Sequence, residues 1–435
     1  RLVGSEMCIR DSYRNEKNEL CSKCNPDRFA GIIERRWRSM IRIKLPRVRA
    51  IDSEQLIIFA YCLLVVISIL NTTQFGDIMG YHLIVRGIKY LCMALVFFAF
   101  WMRKNISPKT FLMAVILTAV GVGVALTSDR LSEVVLVIVF FVAGYNIKSA
   151  KILQRYLTVA VGTVLFTLIL YALGIYKYDV MNSAGRVRRY LGFTYTTYLA
   201  NYFFHFLLVY FVIRKRQITV LETAVILWMN WEIRQLTDTK AVYYEVILLL
   251  VLLWGYQLVP RIYQSWVFKI GTLSAMPILA ALIIYLSYVY TPANIFLFSL
   301  NRLLTTRLSL GRQAISTYGF TLFGSETAWV TGRYGIERTE AYFYVDSSYL
   351  NIALSFGLVT LLLVMIGFYF LEKKALEEQK YILCIVLIML AVHSFSDPQL
   401  FDLKYDPFLI LIGTAILKKA PLPLKNPVGG RSFAD

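Results

Sequence analysis

The chain has 435 residues, a formal net charge of +19, 58% hydrophobic residues and only 17% charged residues. A soluble protein of this size carries roughly a quarter charged residues, so the composition argues against a soluble enzyme, and it excludes intrinsic disorder. Because most of the basic residues lie in short clusters between apolar runs, their charge indicates membrane topology rather than a nucleic-acid partner. The composition therefore predicts a polytopic membrane protein.

The two ends of the chain are predicted to lie outside the apolar bundle. Residues 1–12 (RLVGSEMCIRDS) resemble the translated read-through of a sequencing adapter and are expected to be non-native. Residues 13–53 are basic and polar, which predicts a cytoplasmic arm close to lipid headgroups. Residues 418–435 begin with two lysines and are predicted to form a cytoplasmic tail.

Between these ends lie twelve apolar runs, most of them close to the length of about 17 to 25 residues that crosses a bilayer. The fourth run is marginal and the last is short, so eleven crossings remain an alternative. Since lipid satisfies no backbone polar group, the expected fold is an all-α polytopic transmembrane helix bundle. The runs are 54–71, 82–102, 110–127, 131–147, 156–175, 195–213, 219–236, 241–259, 270–290, 349–371, 381–396 and 407–417.

Basic residues in alternate connections predict the orientation. If the N-terminal arm is inside, twelve crossings place every one of six basic segments inside, and both termini are then cytoplasmic. The outer connections include 177–194 and one long loop, 291–345, which far exceeds the usual loop length. The six basic segments are 103–109, 148–155, 214–216, 261–269, 373–380 and the start of the tail.

Several basic residues break this rule because they are predicted to lie on the outer side. One explanation is ordinary solvated charge, with long side chains reaching from helix ends to water. The other is an anionic ligand, since guanidinium groups match phosphate oxygens in a bidentate manner, and we consider it the more economical explanation for the whole set. The principal members are Arg186, Arg188, Arg189, Lys240, Arg307 and Arg312.

The long outer loop has a helical pattern over residues 303–318. Leu304, Leu308 and Ile315 would share one helix face, and polar residues would share another. This predicts an interfacial helix at the membrane surface, with an irregular exposed loop as the alternative.

Two sites at the predicted outer helix ends have acid–base potential. Asp346 precedes the tenth apolar run, where a carboxylate either caps the helix or does chemistry. His393 and Asp397 are four residues apart and would share a helix face, which makes His393 a candidate for proton transfer. Cys21 and Cys24 form a single C-x-x-C motif without a second pair of metal ligands. The sequence also lacks the known nucleotide-binding and metal-binding motifs, so we expect no metal and no cofactor.

Three passages resemble the Wzy-type O-antigen and capsular repeat-unit polymerases of the O-antigen ligase-like superfamily, over about residues 54–417. The passages are 189–193 (RYLGF), then 304–308 (LTTRL) with 318–324 (YGFTLFG), and 346–350 (DSSYL) with 357–358 (GL). The turn at 237–240 departs from the family's T-x-S-R pattern, because Lys240 replaces the arginine.

The resemblance implies a metal-independent glycosyltransferase at the outer face of the cell membrane. It would join polyprenyl-pyrophosphate-linked oligosaccharides, and a flippase and a chain-length regulator are the implied partners. Arg307 and Arg189 would bind pyrophosphate, supported by Arg186, Arg188, Arg312 and Lys240, and Tyr349 would contact substrate. His393, or else Asp346, would be the base. An O-antigen ligase and a polysaccharide flippase or exporter remain the alternatives.

Overall fold

The computed structural model describes residues 52–78, 80–102, 108–128, 130–144, 147–177, 180–183, 186–214, 216–331 and 342–417. The predictions for residues 1–12, for the basic arm up to residue 51 and for the tail 418–435 fall outside these ranges.

The described chain is mostly helical, which confirms a helical bundle. Six of its helices are long and apolar enough to cross a membrane, namely α1, α2, α3, α5, α8 and α10. The helices are α1 (Ser53–Leu70), α2 (Tyr81–Trp101), α3 (Pro108–Thr127), α4 (Leu131–Ala143), α5 (Ser149–Ala172), α6 (Tyr198–Arg214), α7 (Val220–Thr237), α8 (Lys240–Leu258), α9 (Pro260–Gln264), α10 (Trp266–Val289), α11 (Ile295–Leu303), α12 (Arg307–Tyr318), α13 (Ser348–Ser355), α14 (Gly357–Glu377), α15 (Tyr381–Ser396) and α16 (Phe408–Leu417).

Helix α15 is the centre of the bundle. It packs against α6, α8, α10, α13 and α14, and it is buried around most of its circumference. Peripheral helices such as α3 instead expose large apolar side chains over much of their surface. A polar group on α15 is therefore surrounded by protein and requires a partner there.

A two-stranded hairpin corrects the expectation of a purely helical fold. Strands β1 (Val180–Ser183) and β2 (Arg186–Arg189) pair in antiparallel fashion between α5 and α6. The turn that follows β2 attaches the hairpin to the link after α1, because Thr194 N donates to Thr72 O at 2.8 Å and Gln74 N donates to Gly192 O at 3.1 Å. The RYLGF passage is thus an anchoring turn, and Gly192 has the positive φ of +85° that this turn requires.

The tenth apolar run is two helices rather than one. Helix α13 ends at Ser355 and α14 begins at Gly357, whose φ is +89°. The long loop fills this break, since Leu358 N donates to Thr321 O at 3.0 Å and Ser325 N donates to Leu354 O at 3.1 Å. A broken helix at membrane depth is tolerated where protein supplies the missing hydrogen bonds. Hydropathy did not reveal the break because the run is apolar throughout.

The close packing around Gly357 predicts that a side chain at this position destabilises the protein. A Cβ at Gly357 would lie 2.3 Å from Leu322 O, whereas a Cβ at Gly319, which has φ +66°, meets nothing within 4 Å. Left-handed backbone alone costs an alanine about 1–2 kcal/mol. We expect Gly357→Ala to lower the thermal unfolding temperature in detergent clearly more than Gly319→Ala. Equal shifts in the two variants would contradict this packing.

The last apolar run forms only a short helix, which is preceded by a non-helical segment inside the bundle. Helix α16 has 10 residues, which is about 15 Å of helix and half of a bilayer core. Residues 397–407 precede it and fold back into the bundle, where Tyr61 Oη donates to Leu403 O at 2.8 Å and Tyr156 Oη donates to Lys404 O at 2.9 Å. Tyr61 lies in the middle of α1, so this non-helical segment reaches the bundle interior.

Candidate functional site

The candidate site lies where the hairpin, the turn between α7 and α8, the start of α12, the start of α13 and the end of α15 come together. We call this region the hairpin end of the bundle. Arg186 joins the hairpin to the α7–α8 turn through Asp238, and Arg307 joins α12 to the end of α15. Ser348 Oγ donates to the backbone oxygen of Asp397 at 2.5 Å and connects α13 with α15.

Arg307 is held by a strained corner of the long loop. Its Nε donates to Ser396 O at 2.9 Å, and its Nη1 donates to Thr305 Oγ1 at 2.6 Å. Thr305 and Thr306 have φ of +51° and +67°, which is costly for β-branched residues. Asn301 compensates, because its Oδ1 accepts the Leu308 and Ser309 backbone N–H groups at 3.0 and 3.1 Å. Strain of this kind clusters at functional sites, and here it fixes one guanidinium.

The predicted helix over residues 303–318 is present as α12. Its buried face carries Leu308 and Ile315, as the periodicity predicted, together with Gly311 and Ala314. The observed helix begins only at Arg307, and Leu304, which was expected to share its apolar face, instead caps the end of α11.

Asp346 lies just before α13 and is partly exposed. Burial raises the pKa of its carboxyl to about 6, with nearby Asp397 adding to the effect and the Arg307 guanidinium opposing it. Tyr342 Oη donates to Asp346 Oδ1 at 3.4 Å, and Tyr195 is hydrogen-bonded to Tyr342. A carboxyl whose pKa is raised to about 6, within electrostatic range of a fixed guanidinium, can serve as a general base.

Asp397 is the first residue beyond α15 and adopts an extended conformation. Its Oδ1 accepts from Asn201 Nδ2 at 3.3 Å, which connects the end of α15 to α6. The expected pairing of Asp397 with His393 along one helix face is not formed, because the helix ends between them.

His393 pairs instead with Glu245 of α8, which sequence reasoning missed. His393 Nδ1 lies 2.6 Å from Glu245 Oε2, and His393 Nε2 lies 2.5 Å from Gln399 Oε1. The ring is 1% exposed, so both nitrogens are occupied by protein. Because both ring nitrogens are bonded to protein, we expect His393 to hold α15 against α8 and Asp346 to be the base. A carboxylate inside the apolar run 241–259 was the available signal, since such residues are rare in membrane helices.

The hairpin arginines are divided between two faces. Side chains alternate along a strand, so Arg186 and Arg188 share one face while Arg189 lies exposed on the other. Arg186 forms an ion pair with Asp238, and its Nη2 donates to Asp238 O at 2.8 Å. Burial and the like charge of Arg186 lower the pKa of Arg188, which lies within electrostatic range of Tyr195. Of the two predicted arginines, Arg188 is therefore the one that shares the neighbourhood of Tyr195 with Asp346, whereas Arg189 is exposed on the other face.

Three other predicted site residues lie apart from this group. Arg312 is exposed, and its Nη1 donates to Tyr288 O at 2.6 Å at the end of α10. Lys240 is exposed at the start of α8, close to the charge of Asp238. Tyr349 is fully buried and its Oη donates to Ala391 O at 2.8 Å, which favours a structural role over the predicted contact with substrate. Its hydroxyl is already used to hold α13 against α15.

The resulting group combines two guanidinium groups with a titratable carboxyl and tyrosine hydroxyls. Tyr195 is within electrostatic range of Arg188 and Asp346 and is hydrogen-bonded to Tyr342, and Asp346 is within electrostatic range of Arg307 and of Asp397 at the end of α15. Such a group can bind an oxyanion and accept a proton from a neighbouring hydroxyl. Within the described ranges, no three His, Cys, Asp or Glu side chains are grouped as a metal site requires.

Comparisons of the chain with models of known protein families, with curated proteins and with solved structures found no match.

Proposed function

We propose that the chain is a multi-pass membrane glycosyltransferase that joins polyprenyl-pyrophosphate-linked oligosaccharide repeat units into a polysaccharide. The observation that supports this proposal is that the Arg307 guanidinium lies within electrostatic range of the partly exposed Asp346 at one end of the bundle. The resemblance of the surrounding passages to Wzy-type polymerases supports the same activity.

In the proposed reaction, Asp346 accepts the proton of an acceptor hydroxyl on one lipid-linked repeat unit. The hydroxyl oxygen attacks the anomeric carbon of the growing chain, and the bond from that carbon to pyrophosphate breaks. Polyprenyl pyrophosphate leaves with the bonding electron pair, and a single displacement inverts the anomeric configuration. Arg307 and Arg188 stabilise the charge that builds on the leaving group.

We further propose twelve membrane crossings, with both termini in the cytoplasm and the hairpin end outside. The last crossing would combine residues 397–407 with α16. The strict alternation of basic segments supports this orientation. The location would be the cell membrane, and a flippase and a chain-length regulator are the proposed partners.

Cysteine labelling tests the orientation. In a background without the six native cysteines, a membrane-impermeant maleimide should label Val187→Cys in intact cells and should label Glu377→Cys only after lysis. Both parent residues are exposed, so a failure to react reports sidedness rather than burial. Labelling of Glu377→Cys in intact cells would overturn the proposed orientation.

Reconstitution tests the activity. Purified chain in liposomes that contain only the lipid-linked repeat unit should produce a ladder of longer lipid-linked glycans. Transfer only when a second acceptor lipid is added would indicate a ligase. Movement of intact substrate between leaflets without any transfer would indicate a flippase.

A further inference from the structure

A lateral apolar groove lies beside the hairpin end, on the outside of helices α5, α6 and α7. Its volume is about 360 Å³, within the range of small-molecule sites. Leu168 lies on its α5 side, Phe203 forms part of its floor on α6, and Trp228 lies on its α7 side. Trp228 is 63% exposed, so the groove is open sideways.

One end of the groove lies close to the hairpin, because α7, which lines the groove, also packs against β2. The end of the groove that is nearest the hairpin is lined by Leu191 and Leu236. Leu191 is three residues beyond Arg188, and Leu236 is two residues before Asp238, the partner of Arg186. From Trp228 to Leu236 the groove extends about 12 Å along α7, at 1.5 Å per residue.

The distribution of charged residues along the groove suits a ligand with an apolar tail and an anionic head. Glu232 is the one charged residue among those that line the groove, and it lies about 9 Å along α7 from Asp238. Its carboxylate disfavours an anion within the groove. Closer to the hairpin, the face of β2 that carries Arg186 and Arg188 favours an anion. An amphiphile with a long apolar chain and a pyrophosphate head matches this order.

We propose that the groove holds the isoprenoid chain of a polyprenyl pyrophosphate and delivers its head to Arg188. This inference rests on the proposed function and assigns the lipid end of its substrate to a place on the chain. Since bilayer lipid is as apolar as the groove, the groove contributes position rather than hydrophobic affinity. Its role is to align the anomeric carbon with Asp346.

Photo-crosslinking of the full chain tests the groove. Benzoylphenylalanine is placed at Leu168, and at the neighbouring Ile169 as control, because Ile169 is 55% exposed and does not line the groove. Each protein is irradiated in phosphatidylglycerol nanodiscs that contain about 1 mol% undecaprenyl pyrophosphate. We expect the undecaprenyl fraction among lipid adducts to be at least tenfold higher at Leu168 than at Ile169. Equal fractions at both positions, with phospholipid dominant, would show an annular lipid site and overturn the proposal.

A second measurement separates the two proposals. Leu168→Trp fills the groove, whereas Ile169→Trp adds the same ring on the lipid side. We expect Leu168→Trp to raise the KM for lipid-linked substrate about tenfold or more while Ile169→Trp leaves it unchanged. Unchanged kinetics in both variants would refute the groove but not the glycosyltransferase. Undecaprenyl enrichment at Leu168 without polymer formation would refute the glycosyltransferase but not the groove.

Discussion

Arg307→Ala is expected to lower the rate of glycan joining about 100- to 1000-fold, the usual cost of removing one preorganised donor to developing negative charge. The variant should still insert and accumulate, because the guanidinium bonds to backbone oxygens at the bundle end rather than to the core. Arg307→Lys should restore activity only in part, since a point charge does not replace the planar fork. The measurement is polymer length against time with lipid-linked repeat units.

The matched control for Arg307 is Arg312→Ala, on the same helix. Arg312 is exposed and contacts Tyr288 rather than the carboxyl group of Asp346. We expect this variant to retain a rate close to that of the wild type. Full activity in Arg307→Ala, or equal losses in both variants, would remove Arg307 from the mechanism.

Asp346→Asn is expected to lower the rate about 100-fold or more, because general bases contribute about 10²–10⁴. The wild-type rate should rise with pH through about 6 and then level off, since burial raises the pKa of Asp346 to about 6 and only the deprotonated carboxylate accepts a proton. The residual rate of Asp346→Asn should lack this rise. The measurement is the initial rate from pH 5 to 9.

His393→Gln provides the contrast for this pH dependence. With both ring nitrogens bonded inside the bundle, His393 should affect protein yield and thermal stability, since its loss leaves Glu245 buried without its partner. The rise in rate near pH 6 should persist in the protein that folds. If His393→Gln abolishes that rise and Asp346→Asn keeps it, His393 is the base and the assignment of Asp346 fails.

The positions of the long apolar helices could be predicted from the hydropathy of the sequence. The apolar run 241–259 and helix α8 (Lys240–Leu258) nearly coincide, because lipid selects apolar stretches of fixed length. The break at Gly357 was not readable, since it depends on a loop segment more than 30 residues earlier that supplies its hydrogen bonds. Composition does not encode such a contact.

Some residues of the candidate site could be predicted from the sequence and others could not. The sequence drew attention to Arg307 as a basic residue on the predicted outer side and to Asp346 as a carboxylate at the start of a predicted helix. It could not choose between Arg188 and Arg189, because a strand turns alternate side chains to opposite faces and a shift of one residue exchanges them. It also missed the pairing of His393 with Glu245, which are 148 residues apart in the chain and meet only through the packing of α15 on α8.

The most direct test of the proposed function is the stoichiometry of the reaction in proteoliposomes. Lipid-linked repeat units are supplied in the leaflet that the hairpin end faces, and new glycosidic bonds and released polyprenyl pyrophosphate are counted together. The proposed displacement predicts one released polyprenyl pyrophosphate for each bond formed, with both products lost in Asp346→Asn and Arg307→Ala. Substrate that remains unjoined in the wild type, or bonds that form without release of polyprenyl pyrophosphate, would contradict it.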